Sequence, residues 1–187
     1  ASSISGDITP NALLGLNAKA NGPDFTVIPD TPFVQKFFDN RLYIVNSFNG
    51  DMLFESKESN VFFFQAEYLF DEDALLLRGM EDKKLIIAKY NIKTKEYIWK
   101  TTVSEKFGSI LTKLSAVIGK NPTAGKDKMV YTSNKVFLLA KGKFYALNKE
   151  TGNLIWNAED EDKEYHNFFS SLNGQNVLLT QTVGLFK

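Results

Sequence analysis

Three segments of this 187-residue chain repeat one arrangement of residues, and no other feature restricts its fold as strongly. Each segment runs from an asparagine at the end of a β-rich stretch, through a four-residue turn, to an aromatic residue eight positions after the asparagine. Such internal repeats are typical of repeat architectures, so the segments predict a β-hairpin in each of several similar units. The pairs are Asn46 with Phe54, Asn91 with Trp99, and Asn148 with Trp156.

The spacing of the asparagines predicts propeller blades. Asn46 and Asn91 are 45 residues apart, which falls in the roughly 40–50 residues of a four-stranded blade. Asn91 and Asn148 are 57 residues apart, so the second spacing requires an insertion, which we place at residues 104–128. Apolar residues recur there at helical spacing and predict a short helix or a decorated loop: Ile110, Leu111, Leu114, Val117 and Ile118.

Turn residues divide the flanking sequence into short strands. We predict strands at 33–38, 41–46 and 51–57, at 74–80, 85–91 and 96–103, and at 129–132, 136–140, 144–148 and 153–158. Residues 168–187 repeat only the opening of a further unit, without its asparagine and aromatic residue. The sequence therefore predicts an all-β chain of antiparallel four-stranded β-propeller blades over residues 32–187. We expect about four blades that form part of a larger or incomplete propeller, and an irregular segment or edge strand over residues 1–31.

Each residue type in the repeat has a physical reason. An asparagine at the start of a turn can accept hydrogen bonds from the backbone that follows it, and a glycine at its end tolerates the left-handed conformation of a tight reversal. The aromatic residue on the returning strand is large and flat, so it can cover the face of a neighbouring sheet. The aromatic positions therefore predict contacts between adjacent blades.

The repeat resembles the docking motif of PQQ-like (pyrroloquinoline quinone, quinoprotein-like) propellers, Ala-x-Asp-x-x-Thr-Gly-x-x-x-Trp, in which the tryptophan lies between adjacent blades. The third copy is the most similar, with an asparagine in place of the aspartate: Ala146, Asn148, Thr151, Gly152 and Trp156. The second copy has Asn91, Thr94 and Trp99 but carries Lys95 in place of the glycine, and the first has Asn46, Gly50 and Phe54. The resemblance covers residues 32–187.

The resemblance implies a fold and leaves the activity open, because one fold serves many functions. The dehydrogenase branch of the family would need a quinone site at the propeller centre, calcium held by Glu and Asn, a catalytic Asp and commonly a vicinal disulfide. This chain has no cysteine, and it supplies about half of the blades that such a site requires. Members of the family mostly act outside the cytoplasm, which favours the periplasm or the cell envelope.

Composition excludes several classes of function. Without cysteine there is no disulfide, thiolate zinc site, covalently attached haem or cysteine nucleophile. With 22 basic and 22 acidic residues the formal net charge is zero, so no overall field attracts nucleic acid. The longest apolar runs, such as Val61 to Phe64, are too short to span a bilayer.

Four local features invite a chemical interpretation, and each has a simpler structural one. The glycine-rich residues 119–127 differ from a phosphate-binding loop in the spacing of their glycines, and Asp127 stands where such a loop has Ser or Thr. His166 is the only histidine, so no pair of histidines is available to hold a metal ion, and a structural role is the stronger expectation. The acidic runs 71–73 and 159–162 could hold calcium, but both fall in predicted loops, where solvated charge is the default. The aromatic run 62–64 could stack on a ligand, but core packing is the stronger expectation.

We therefore predict a non-catalytic binding or scaffold module whose blades present loops to a protein or an extended ligand. No catalytic, cofactor-binding or metal-binding residues are assigned, and no cofactor is expected. The alternative is a fragment of a PQQ-dependent dehydrogenase-like enzyme, whose further blades would complete the cofactor site.

Overall fold

The computed structural model describes residues 25–38, 41–56, 60–105, 128–158, 165–171 and 175–181, which form fourteen β-strands and no helix. The strands are β1 (Phe25–Val27), β2 (Phe33–Phe38), β3 (Arg41–Asn46), β4 (Met52–Glu55), β5 (Phe62–Leu69), β6 (Ala74–Glu81), β7 (Lys84–Asn91), β8 (Glu96–Ser104), β9 (Lys128–Tyr131), β10 (Lys135–Ala140), β11 (Lys143–Asn148), β12 (Leu154–Ala158), β13 (Tyr165–Ser170) and β14 (Val177–Gln181).

Neighbouring strands pair antiparallel in the order of the chain and form four sheets. The first sheet is β1–β4, the second β5–β8 and the third β9–β12, and the fourth contains β13 and β14. The prediction of antiparallel four-stranded units is confirmed for three sheets. The structure adds one strand to the predicted ones, β5, which opens the second sheet. The edge strand of the first sheet is β1, which lies within the segment 1–31 for which an irregular segment or an edge strand was expected.

Successive sheets pack face to face, with an apolar core between each pair. One core joins the first and second sheets and includes Ile44, Phe54 and Leu77. A second joins the second and third sheets, and a third joins the third and fourth sheets around Phe144 and Phe168. Since both faces of the middle sheets are covered, their central strands are buried and mostly apolar without alternation, as in β6, where seven consecutive residues are buried and only Arg78 among them is charged.

Several predicted features lie outside the described residues. They are the helix or loop in the insertion, the glycine-rich residues 119–127 and the second acidic run 159–162. His166 is the second residue of β13 and is half-buried. The aromatic run opens β5, where Phe63 and Phe64 are buried in two different cores, which confirms the prediction of core packing.

Candidate functional site

One edge of the sheets carries all the turns of the repeated hairpins, and we call it the turn end. It is formed by the connections β1–β2, β3–β4, β5–β6, β7–β8, β9–β10 and β11–β12. In each four-stranded sheet the two connections are tied by one backbone hydrogen bond: Ser47 N–H to the Pro32 carbonyl, Ile92 N–H to the Asp73 carbonyl, and Lys149 N–H to the Asn134 carbonyl, at 2.9–3.1 Å. The same bond in three sheets makes the turn end a repeated and well-defined surface.

The asparagine of each copy organises its turn. Its side-chain oxygen Oδ1 accepts hydrogen bonds from backbone N–H groups of the turn, from Phe48 in the first copy, from Lys93 and Thr94 in the second, and from Glu150 and Thr151 in the third. These distances are 2.8–3.0 Å. The asparagine carbonyl accepts a further hydrogen bond, from the N–H of the residue four positions later.

That later residue adopts a left-handed backbone conformation in every copy. The φ angles are 77° at Gly50, 62° at Lys95 and 72° at Gly152. The strand pairing also shifts by one residue at the same place in each hairpin, which is the usual consequence of a left-handed residue closing a short turn. Lys95 takes this conformation without the freedom of glycine, and its ammonium group donates a hydrogen bond to the Met52 carbonyl of the first sheet.

The aromatic residue of each copy faces the sheet that follows. Phe54, Trp99 and Trp156 pair with Ile44, Lys89 and Ala146 at one register position of the hairpin. Phe54 is 2% exposed and contacts Phe63, Tyr90 and Tyr97 of the second sheet edge to face. Trp99 is 9% exposed in the core shared with the third sheet, whereas Trp156 is 40% exposed.

Three side chains of the second sheet hold the β11–β12 turn of the third. The Trp99 indole Nε1 donates a hydrogen bond to the Lys149 carbonyl at 3.0 Å, and the Thr101 hydroxyl donates one to the Gly152 carbonyl at 2.9 Å. Lys89 Nζ donates to the same Lys149 carbonyl at 3.3 Å. A Cβ atom on Gly152 would lie 2.5 Å from the indole ring, so only glycine allows this close approach.

A buried ion cluster lies next to that contact. Lys89 and Lys149, 2% and 5% exposed at their side chains, each form a salt bridge with one carboxylate oxygen of Glu72. Burial alone would raise the pKa of Glu72, but hydrogen bonds and charge from the two lysines outweigh it and lower that pKa. The first acidic run was expected to be solvated, but its central residue instead joins the second sheet to the third.

The neighbouring carboxylate of that run is also engaged. Asp73 forms a salt bridge with Lys93 and accepts a hydrogen bond from the Tyr68 hydroxyl at 3.1 Å, and these contacts lower its pKa. Within the part of the chain that the structure describes, no group of three or more His, Cys, Asp or Glu side chains is placed to hold a metal ion.

Glu67 on β5 is a titratable side chain whose pKa is shifted towards neutral values. Burial raises its pKa to about 7, although the charge of Arg78 acts in the opposite direction. Gln65, two positions earlier on the strand, donates a hydrogen bond to Glu67 Oε1 at 3.5 Å and accepts one from Arg78 Nη1 at 3.3 Å. The group is therefore a polar cluster on the face of β5 that is directed towards the third sheet.

Two phenylalanines are exposed in the turns of the turn end. Phe48 in the β3–β4 turn is 88% exposed, and Phe70 in the β5–β6 turn is 53% exposed. Phe70 packs edge to face on Tyr68, which packs in the same way on Phe33 of the first sheet. Binding residues are disproportionately found on loops that a rigid scaffold positions, and Phe48 and Phe70 lie on such loops.

Sequence reasoning did not single out Lys89, Lys149 or Glu67, and it considered Glu72 only as part of the acidic run 71–73. Lys89 and Glu67 lie within β7 and β5, and Glu72 and Lys149 lie in turns. The residues that surround them come mostly from other strands or another sheet. The only available signal was the position of Lys89 in the otherwise apolar run of β7, from Leu85 to Tyr90.

Similarity to known proteins is confined to the fold. No protein-family model matches the chain, and no curated protein matches it. A chain in the crystal structure of a mitotic checkpoint complex, a WD40-type β-propeller, is similar with a TM-score of 0.50 and 10% identity. The match covers 86% of this chain and 52% of that one, so the chain spans about half the length of the solved chain that it matches. The class that the fold defines is thus a set of antiparallel sheets in a propeller-like arrangement.

No helix among the described residues is long and apolar enough to cross a membrane.

Proposed function

We propose that this chain is a non-catalytic binding or scaffold module that presents its turn end to a protein partner. The observation that carries the proposal is the exposure of Phe48 and Phe70 on turns that are fixed by hydrogen bonds. We also propose that the chain is a PQQ-like repeat propeller and that its sheets are part of a larger or incomplete ring. The repeated Asn turns and inter-sheet aromatic residues support that assignment.

The rigidity of the turn end supports a binding role. Association costs conformational entropy, and a surface that is ordered before binding loses less of it. Each hairpin turn is held by its asparagine and by a bond to the neighbouring connection, and the β11–β12 turn is also held by Trp99. Phe48 and Phe70 can therefore be offered to a partner without ordering the backbone that carries them.

The chemistry of the charged residues favours binding over catalysis. Glu72 and Asp73, two of the three carboxylates in the β5–β6 turn, form salt bridges with lysines. A protein partner is also in keeping with the fold likeness to a chain from a mitotic checkpoint complex, which is a protein assembly. The likeness supports a partner class only, and the identity of the partner follows from the experiment below.

Site-specific photo-crosslinking tests the proposal. A photoreactive amino acid replaces Phe48 or Phe70 at the turn end, and Lys83, exposed in the β6–β7 turn at the opposite edge, serves as the control position. We expect one protein to be captured from the native host at positions 48 and 70 and not at 83. Calorimetry with the purified partner should then show at least tenfold weaker binding for the double variant Phe48→Ser, Phe70→Ser, and unchanged binding for Lys83→Ser.

Equal capture at all three positions, or none, would contradict a turn-end binding surface. A titration with PQQ and calcium, followed by absorbance, tests the enzyme alternative. Saturable cofactor binding would contradict the non-catalytic function.

A further inference from the structure

Each exposed phenylalanine of the turn end shares its turn with an exposed aspartate. Phe48 and Asp51 lie in the β3–β4 turn, and Phe70 and Asp71 lie in the β5–β6 turn. The two turns belong to neighbouring sheets. An aromatic ring and a carboxylate are therefore offered to solvent together at two places of the turn end.

Neither of these carboxylates is neutralised by a basic residue of the chain. Within the residues that the structure describes, Asp51 and Asp71 form no salt bridge. Asp51 accepts a hydrogen bond from the Asn49 side-chain amide at 2.7 Å, but that donor carries no charge. Both aspartates can therefore pair with a cation from outside the chain.

The turn end as a whole has an excess of acidic residues. Its six connections contain six acidic residues and three lysines, although the whole chain has 22 basic and 22 acidic residues. The acids exceed the lysines even when the buried Lys89 of β7 is counted with the turns. All three lysines are engaged within the chain, Lys93 and Lys149 by salt bridges and Lys95 by a bond to a backbone carbonyl of the first sheet. The acidic residues are Asp30, Asp51, Asp71, Glu72, Asp73 and Glu150.

Arginine is the side chain that fits a phenyl ring beside a carboxylate. Its planar guanidinium group can lie on the face of the ring and donate two hydrogen bonds to the carboxylate. A lysine ammonium group is a compact, strongly hydrated charge that does not make this planar contact. A neutral apolar segment would bury the carboxylates without partners, and the phosphates of nucleic acids or lipids would be repelled.

We propose that the turn end binds a positively charged segment of a partner protein, with arginines at the Phe48–Asp51 and Phe70–Asp71 pairs. This inference rests on the proposed binding function and names the chemistry of its partner. Both rings lie on ordered turns, because the Phe48 N–H donates to Asn46 Oδ1 at 3.0 Å and the Phe70 ring packs edge to face on a tyrosine of β5. Binding therefore costs little ordering of these two side chains.

A second copy of this chain is not the partner that this chemistry selects. The sequence contains two arginines, Arg41 and Arg78. Arg78 is buried in the second sheet, and Arg41 forms a salt bridge with Glu55 of its own sheet. Neither guanidinium group is available to the turn end of another molecule while the chain is folded, so the arginines come from a different protein.

Fluorescence anisotropy with three labelled peptides of equal length tests the inference on the intact chain. The peptides repeat Arg-Gly-Ser, Lys-Gly-Ser or Glu-Gly-Ser, so they differ only in the charged side chain. We expect the arginine peptide to bind saturably, about tenfold more tightly than the lysine peptide, because only arginine uses the ring and the carboxylate together. The glutamate peptide should not bind, and added salt should weaken the binding of the arginine peptide.

Variants of the chain separate the local contacts from general charge attraction. Asp51→Asn and Asp71→Asn together should weaken binding of the arginine peptide by about tenfold or more, because each removes a charged hydrogen-bond acceptor. The matched control is Asp82→Asn in the β6–β7 turn at the opposite edge, where asparagine tolerates the left-handed φ of 53°. The double variant Phe48→Ser, Phe70→Ser should remove the preference for arginine over lysine. Circular dichroism verifies that each variant is folded.

Three results would overturn the inference. The first is the absence of saturable binding by the arginine peptide, or equal binding of the arginine and glutamate peptides. The second is a loss in Asp82→Asn as large as in the single variants Asp51→Asn and Asp71→Asn, which would reveal attraction to overall charge. The third is a partner that is crosslinked at positions 48 and 70 through a segment without arginine. That result would uphold the protein-binding function and overturn only the chemistry inferred here.

Discussion

The indole N–H of Trp99 reaches from the second sheet to the backbone carbonyl of Lys149 in the third, at 3.0 Å. The same turn offers Gly152 to the face of the ring, and Lys89 bonds to the same carbonyl. One sheet therefore recognises the next through its turn as well as through apolar packing. Because side chains of one sheet bond to the turn of the next, the position of that turn is fixed relative to the preceding sheet. A binding surface made of several turns requires such fixed positions.

The two tryptophans should differ in their contribution to stability. Trp99→Ala removes a buried ring and its hydrogen bond and should lower the free energy of unfolding by about 3–5 kcal/mol. Trp156→Ala, at the same position of the next copy but 40% exposed, should cost about 1 kcal/mol or less. Urea denaturation followed by circular dichroism measures both variants. Equal losses would show that the contact with the β11–β12 turn contributes nothing.

Gly152 should tolerate substitution less well than Gly50. Both glycines have left-handed φ angles, so alanine at either position costs about 1–2 kcal/mol in backbone energy. Gly152→Ala must in addition displace the Trp99 ring, and we expect a total loss of roughly 2–4 kcal/mol. Thermal unfolding of the two variants provides the comparison, and a shift in the near-ultraviolet signal of Trp99 should accompany only Gly152→Ala. Identical behaviour of the two variants would argue against the close approach.

Local patterns made the hairpins predictable. An asparagine and an aromatic residue eight positions apart define a turn by their own backbone chemistry, so Asn46, Asn91 and Asn148 could be located from the sequence. The surroundings of the aromatic residue could not be predicted from these local patterns. Trp99 and Trp156 have similar sequence contexts, and only the neighbouring sheet decides which of them is covered.

The buried charges were beyond sequence reasoning for a related reason. Lysines are normally solvated, and the apolar neighbours of Lys89 in β7 indicate that it is buried without indicating which groups neutralise its charge. Lys89 lies in β7, and Glu72 of the β5–β6 turn forms the salt bridge that allows its burial. Lys149 of the third sheet completes the cluster. Such groups become visible only when three separate parts of the chain are brought together.

Glu72 should contribute more to stability than its neighbour Asp73. Glu72→Gln removes the carboxylate that two buried lysines share and leaves Lys89 only its salt bridge at 3.5 Å to the exposed Glu150. Breaking a buried ion pair typically costs about 3–5 kcal/mol. Asp73→Asn removes a salt bridge to an exposed lysine, so it should have little effect. Because the pKa of Glu72 is lowered, its contribution is present above pH 4.5 and is lost as the pH falls below that value. Chemical denaturation at pH 7 and pH 3.5 tests both statements, and a Glu72→Gln variant as stable as Asp73→Asn would contradict them.

Glu67 should make the stability of the protein depend on pH in the opposite direction. Its pKa is about 7 in the folded chain, above the value of 4.5 that applies when the chain is unfolded, because burial favours the neutral acid despite the charge of Arg78. The folded state therefore binds the proton more tightly, and this stabilisation is complete below pH 4.5 and is lost as the pH rises to 7.

Glu67→Gln keeps the shape of the side chain and removes its titration. We expect the wild type to lose on the order of 1–3 kcal/mol relative to this variant between pH 4.5 and pH 7. The comparison isolates Glu67, because Glu72 is present in both proteins and changes charge mainly below that range. Urea denaturation at half-unit steps of pH gives the difference directly. A difference that does not change with pH would mean that Glu67 is ionised in the folded chain as readily as in the unfolded one.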